Sequence, residues 1–82
     1  MFELQYTDKA LKQLEKLDKN MQDRILHTLE RIRIRPTTYV KKLVGNPYFR
    51  LRVGDYRIIV SIKNDQMIIM VVEVGHRKNI YK

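Results

Sequence analysis

The sequence has 82 residues, 44% of them hydrophobic, so one domain spanning 1–82 is expected, with a modest core, because a chain this short buries only roughly 60% of its unfolded surface. It has no cysteine and no apolar run near the ~20 residues of a membrane span, which argues against a disulfide framework, a thiolate metal site and a transmembrane helix. Seventeen Lys and Arg against nine Asp and Glu leave a net charge of +8, a field that favours a polyanion, nucleic acid before membrane.

The N-terminus, Met-Phe-Glu-Leu-Gln-Tyr, has neither the basic region nor the apolar run of a signal peptide, so a cytoplasmic location is expected. Phe2, Leu4 and Tyr6 alternate with Glu3 and Gln5, the period of a half-buried strand. Thr7 or Asp8 then caps a short helix whose stripe is Ala10, Leu14 and Leu17, flanked by Leu11. Asp18, Lys19 and Asn20 interrupt it, and Asn20 with Asp23 is the expected capping arrangement of a second helix. There Met21, Ile25, Leu29 and Ile32 form the inward stripe, and His27, Glu30 and Arg31 face outward. Pro36 ends this helix, and the short link between the two predicts an antiparallel helical hairpin.

From Pro36 to Tyr48 the chain reads as loop, punctuated by Gly45, Asn46 and Pro47. Three strands follow, about Tyr48 to Val53, Tyr56 to Lys63 and Met67 to Val74. Gly54-Asp55 suits a two-residue hairpin of type II′ or a relative, which sets Val53 against Tyr56, Arg52 against Arg57, Leu51 against Ile58 and Arg50 against Ile59. Phe49, Leu51, Val53, Tyr56, Ile58 and Val60 then line one face, while Arg50, Arg52 and Arg57 share the other. Asn64-Asp65 or Asn64-Asp65-Gln66 forms the next turn. The three-residue form is preferred, because it puts Ile68, Met70, Val72 and Val74 inward, sets Glu73 opposite Arg57 and spares a buried carboxylate. The same alternation carries Arg77 toward the cationic face.

The expected architecture is α+β, in the order β-α-α-β-β-β: a twisted antiparallel sheet with the helical hairpin packed on one face and the opposite face open. Eight bases between Arg31 and Ile62 (Arg31, Arg33, Arg35, Lys41, Lys42, Arg50, Arg52 and Arg57) against Asp55 alone give +7 there, so nearly all the excess charge lies in this middle segment. Two distant histidines, His27 and His76, make a poor metal site, and no metal or other cofactor is expected.

Three blocks together resemble the RelE/ParE toxin superfamily: Lys42-Leu43-Val44-Gly45, then Tyr48 to Ile59 (Tyr-Phe-Arg-Leu-Arg-Val-Gly-Asp-Tyr-Arg-Ile-Ile), then Val74 to Tyr81 (Val-Gly-His-Arg-Lys-Asn-Ile-Tyr). The resemblance spans essentially the whole chain. It implies the fold of RelE-like microbial ribonucleases and the toxin of a type II toxin-antitoxin pair, a metal-free endoribonuclease cutting mRNA in the ribosomal A site. Carried over by motif, it assigns RNA holding to Arg50 and Arg52, with Lys41 and Lys42 beside them, and catalysis to Arg57, Arg77 and Tyr81, with His76 matching a histidine many relatives carry. The chain departs from longer toxins in ending one residue after Tyr81, which curtails their C-terminal helix.

Such cleavage needs a deprotonated 2′-OH, a phosphate whose growing charge is stabilised, and a protonated 5′-oxygen. Arginine suits the second task, and His76, Glu73 and Tyr81 remain alternatives for the first and third. The resemblance also implies a cognate antitoxin, expected to bring an acidic or amphipathic segment and to form a hetero-oligomer with the chain. Two other readings share this fold: a ParE-like inhibitor of DNA gyrase acting by binding, and a catalytically inactive RNA-binding relative. Clustering of His76, Arg77 and Tyr81 with Arg57 would favour the nuclease.

Overall fold

A computed structural model describes residues 1–76. In chain order they form β1 (Glu3–Tyr6), α1 (Asp8–Glu15), α2 (Lys19–Ile32), α3 (Pro36–Tyr39), β2 (Lys41–Lys42), β3 (Phe49–Val53), β4 (Tyr56–Lys63) and β5 (Ile68–His76). The strands make one sheet in the order β1-β5-β4-β3-β2.

Local chemistry sets the helix ends. The Thr7 hydroxyl accepts from the Ala10 N–H (3.1 Å) and donates to the Val72 carbonyl (2.8 Å), so one side chain caps α1 and ties it to β5. The cap of α2 is Asp18 rather than the expected Asn20: its Oδ1 accepts from the Met21 N–H at 2.8 Å, while Asn20 already sits inside the first turn. Leu17 falls in the link between the helices yet still packs on the core. Gln22 closes that link, its Nε2 donating to the Leu14 and Leu17 carbonyls at 2.8 and 3.0 Å.

The helix stripes and the β3–β4 face meet as expected, while β5 contributes a different set. Ala10, Leu14, Ile25, Leu29 and Ile32 from the helices pack against Leu51, Val53, Ile58, Val60, Ile69, Val71 and Val74 from the sheet, all buried. Each large aliphatic side chain placed there contributes about 1.5–3 kcal/mol of transfer free energy. Among the described residues no helix packs on the other sheet face in this way.

The sheet departs from the all-antiparallel expectation at one edge. β1 runs parallel to β5, pairing Leu4 with Ile69 and Tyr6 with Val71. The intervening helices supply the long crossover that a parallel pair requires. The segment 36–48, read as loop, contains two short elements: Pro36 both stops α2 and occupies the first turn of α3, and Lys41–Lys42 adds an edge strand against β3.

The β3–β4 hairpin has the register expected from Gly54-Asp55, and Gly54 alone of the two turn residues has positive φ (59°), as type II′ requires. The β4–β5 hairpin does not match either expected turn. Lys63 pairs with Ile68 around a four-residue turn ending at Met67, whose φ is 56°. This puts Ile69 and Val71 inward, not Ile68, Met70 and Val72. A β-bulge then leaves Val72 without a pairing partner, Glu73 pairs with Ile59 instead of Arg57, and Val74 returns to the core.

Thr7 should therefore matter twice. Thr7→Ala is expected to cost about 1–2 kcal/mol, from the cap and the bond to the bulge, with Thr7→Ser losing much less, as read by urea denaturation. Tyr6 gives a pH signature: burial first, and the Glu30 carboxylate second, raise its phenol above the ordinary 10.0, with Arg33 partly opposing. A folded value above the unfolded one contributes stability that is complete below the unfolded value and is lost as pH rises through the folded value. Stability should thus fall as pH passes 10.0, and Tyr6→Phe should flatten that fall in alkaline denaturation curves.

Candidate nucleic-acid interface

Strand alternation brings cations from three strands onto the face opposite the helices. Lys41 pairs with Arg50 and Arg50 with Ile59, and in the neighbouring row Arg52 pairs with Arg57 and Arg57 with Gly75. Lys41, Arg50, Arg52 and Arg57 together with Tyr39 line a concavity of about 190 Å³. Ile59, only 6% exposed, lies in the first row as an apolar neighbour beneath the charged side chains. Arg57 is half-buried and its Nε is withdrawn from solvent, whereas Arg52 and Lys41 are exposed. Arg52 Nε donates to the Gly54 carbonyl at 3.3 Å, which steadies the stem of that side chain.

Four cations around one hollow make a strong positive field. A phosphate placed there could take several charge-assisted hydrogen bonds at once. The aromatic ring of Tyr39 adds a face on which a base can stack.

The remaining expected residues distribute differently. Lys42 pairs with Phe49, whose side chain packs on the core, so the pleat turns Lys42 away from the face of Lys41. Glu73 is on the face opposite the helices, but one row from Arg57 and two strands from Arg50, and its carboxylate takes Lys9 Nζ at 3.1 Å. His76 pairs with Tyr56, their rings edge to face with centroids 5.5 Å apart. Because Tyr56 packs on the core, this pairing puts His76 on the sheet side opposite Arg57. Arg77 and Tyr81 lie outside the described residues.

Tyr39 is the site residue that sequence reasoning missed, since it fell in a segment read as loop. Its signal was present: an aromatic between Arg35 and Lys41-Lys42, just after a proline able to start a helical turn. Among the described residues no group of three or more metal-ligating side chains gathers, and no helix is long and apolar enough to cross a membrane.

Comparison with known proteins gives a consistent neighbourhood. The family model of the ParE toxin of the type II toxin-antitoxin system parDE matches residues 4–81. A RelE-like toxin protein of Escherichia coli is 31% identical over 80 residues, which cover 94% of this chain and 84% of that one. Among solved structures, the RelE-RelB complex of Pyrococcus horikoshii aligns with a TM-score of 0.82 at 25% identity, covering 95% of this chain and 97% of that one. The toxin-antitoxin complex RelBE2 of Mycobacterium tuberculosis aligns with a TM-score of 0.85 at 22% identity, covering 93% of this chain and 98% of that one, a likeness of fold.

The crowding of like charges has a cost that can be measured. Arg52 and Arg57 are directly opposed, so Arg52→Thr should raise stability by about 0.2–1 kcal/mol. The gain should shrink as salt screens the repulsion, in denaturation at low and high ionic strength.

Proposed function

Because the chain belongs to the RelE/ParE superfamily of type II toxin-antitoxin toxins, we propose that it is a ribosome-dependent endoribonuclease that cuts messenger RNA in the A site. The observation that carries this reading is the concavity on the sheet face opposite the helices, where Lys41, Arg50, Arg52 and Arg57 converge beside Tyr39. It acts in the cytoplasm, where ribosomes are.

The chemistry is a transesterification. The 2′-OH loses its proton, its oxygen bonds to phosphorus, the bond to the 5′-oxygen breaks, and that oxygen takes up a proton, leaving a 2′,3′-cyclic phosphate. Arg57, opposite Arg52 across the hairpin and with its Nε shielded from water, binds the non-bridging oxygens as their charge grows. Arg50, Arg52 and Lys41 hold the flanking backbone. Arg77 is assigned to the same phosphate and Tyr81 to proton transfer or stacking. Glu73 shares the face of Arg57 and is the nearer base, exchanging its contact with Lys9 for the 2′-OH when RNA enters. That exchange is inexpensive, because an ion pair with 62% and 30% exposed partners contributes about 0–1 kcal/mol. His76 serves as base or acid only by turning about the end of β5.

RelE proteins of E. coli and P. horikoshii are known in complexes with RelB antitoxins, and a cognate antitoxin is proposed for this chain too. Its segment is acidic and amphipathic, so that it cancels the charge and covers apolar surface. A hollow lined by Tyr6, Leu11, Leu14 and Leu26, with Leu11 and Leu26 exposed, offers anchorage for the apolar side of such a segment.

A second reading, a ParE-like inhibitor that binds DNA gyrase, is favoured by two observations: the matching family model is that of ParE, and His76 stands across the sheet from Arg57. One experiment separates the two. Added to a translating extract, the protein should produce mRNA ends at A-site codons, and Arg57→Ala should lower that cleavage by about 10²–10³-fold with its fold intact. Absence of new ends together with blocked supercoiling by purified gyrase would establish the second reading instead.

A further inference from the structure

A second concave surface begins where the sheet concavity ends. The outer side of α2 and the tip of the β3–β4 hairpin enclose a groove of about 810 Å³ that includes Arg24, His27, Arg31, Tyr39 and Arg52, with Asp23 the one acid on its wall. Tyr39 and Arg52 line both hollows, so the two surfaces meet at these side chains.

The basic side chains are arranged along the groove. Arg24 and Arg31 are seven residues apart, two turns of α2, and so share one face about 10 Å apart along the axis. Arg24 spans from the helix to the hairpin turn: its Nη1 lies 3.4 Å from where a Cβ on Gly54 would stand. Among the described residues the ion pairs are Lys9–Glu73 and Arg33–Glu30, and neither uses Arg24 or Arg31.

The occupant follows from charge and texture. The apolar wall residues Leu51 and Val53 are themselves buried, so the groove offers little anchorage to an amphipathic peptide, unlike the hollow around Leu11 and Leu26. Cations in a line that ends on an exposed aromatic ring are the elements that hold a single strand by backbone and base. We infer that the groove between α2 and the β3–β4 turn is a second RNA subsite: Arg24 and Arg31 hold phosphates of nucleotides next to those in the sheet concavity, and Tyr39 stacks on the base at the junction. This rests on the reading of the sheet face as an RNA site.

The test uses fluorescently labelled 2′-O-methyl oligoadenylates, a trinucleotide and a nonanucleotide, titrated by anisotropy. Wild type should bind the longer one about tenfold more tightly. Arg24→Ala/Arg31→Ala should erase that gain, leave the trinucleotide unaffected, and lower the salt slope for the nonanucleotide by about 1.4, for two phosphates. Tyr39→Phe should keep, and Tyr39→Ala lose, about tenfold in affinity. An unchanged length gain in the double variant overturns the inference, as does an equal loss on both lengths. Loss of the co-expressed antitoxin with the RNA gain retained also overturns it, and makes the groove a peptide site. If wild type binds the trinucleotide but gains nothing with length, the groove fails alone. If it binds neither, the sheet-face reading fails with it.

Discussion

The structure turns on a single extra residue in the last strand. β5 has to place Ile69, Val71 and Val74 against the helices, and those positions do not share one alternation. The bulge at Val72 resolves the conflict by resetting the pleat between Val71 and Val74, which also keeps the Glu73 carboxylate out of the core. The bulge frees the Val72 carbonyl from the ladder, and Thr7 fills it with the same hydroxyl that caps α1. One local irregularity thereby fixes where the helical layer begins and which residues of β5 face outward.

The two sides of the sheet then serve different ends. One is covered by Ala10, Leu14, Ile25, Leu29 and Ile32 and carries the core. The other gathers Lys41, Arg50, Arg52 and Arg57, a grouping that folding alone disfavours because like charges repel at close range. A core this small gains no packing from such a cluster, whose positive field suits it to a polyanion. The segment that supplies Tyr39 and Lys41 belongs to the same economy: it packs little of the core but completes the rim of the hollow.

Much of this was legible from residues alone, and the limits have physical causes. The helix stripes and the β3–β4 register were readable because each rests on local rules, a period of 3.6 or a two-residue turn. Asp18 and Asn20 are both good cap acceptors, and the extended backbone of Asp18 is what makes it the cap rather than Asn20. The β4–β5 register was not readable, since Met67 takes a positive φ that sequence does not announce for methionine, and the bulge compensates a shift that turn length alone cannot express. The parallel β1 edge depends on contacts across more than sixty residues of chain, and no local pattern encodes it. For the site, Arg50, Arg52 and Arg57 were placed correctly on one face by alternation, while Lys42 and His76 fell on the reverse one for the same reason. Tyr39 needed the short helix after Pro36 to bring it to the cations.

The parallel pairing of the first strand with the last has a bearing on synthesis. β5 is an interior strand that follows β1 by more than sixty residues, so β1 waits for its neighbour until residues 68–71 have been made. A nascent chain lacking β5 has its helices without the Ile69, Val71 and Val74 part of their floor. The cations of β2, β3 and β4 thus stand on a sheet whose helical side is complete only once its last described strand is in place.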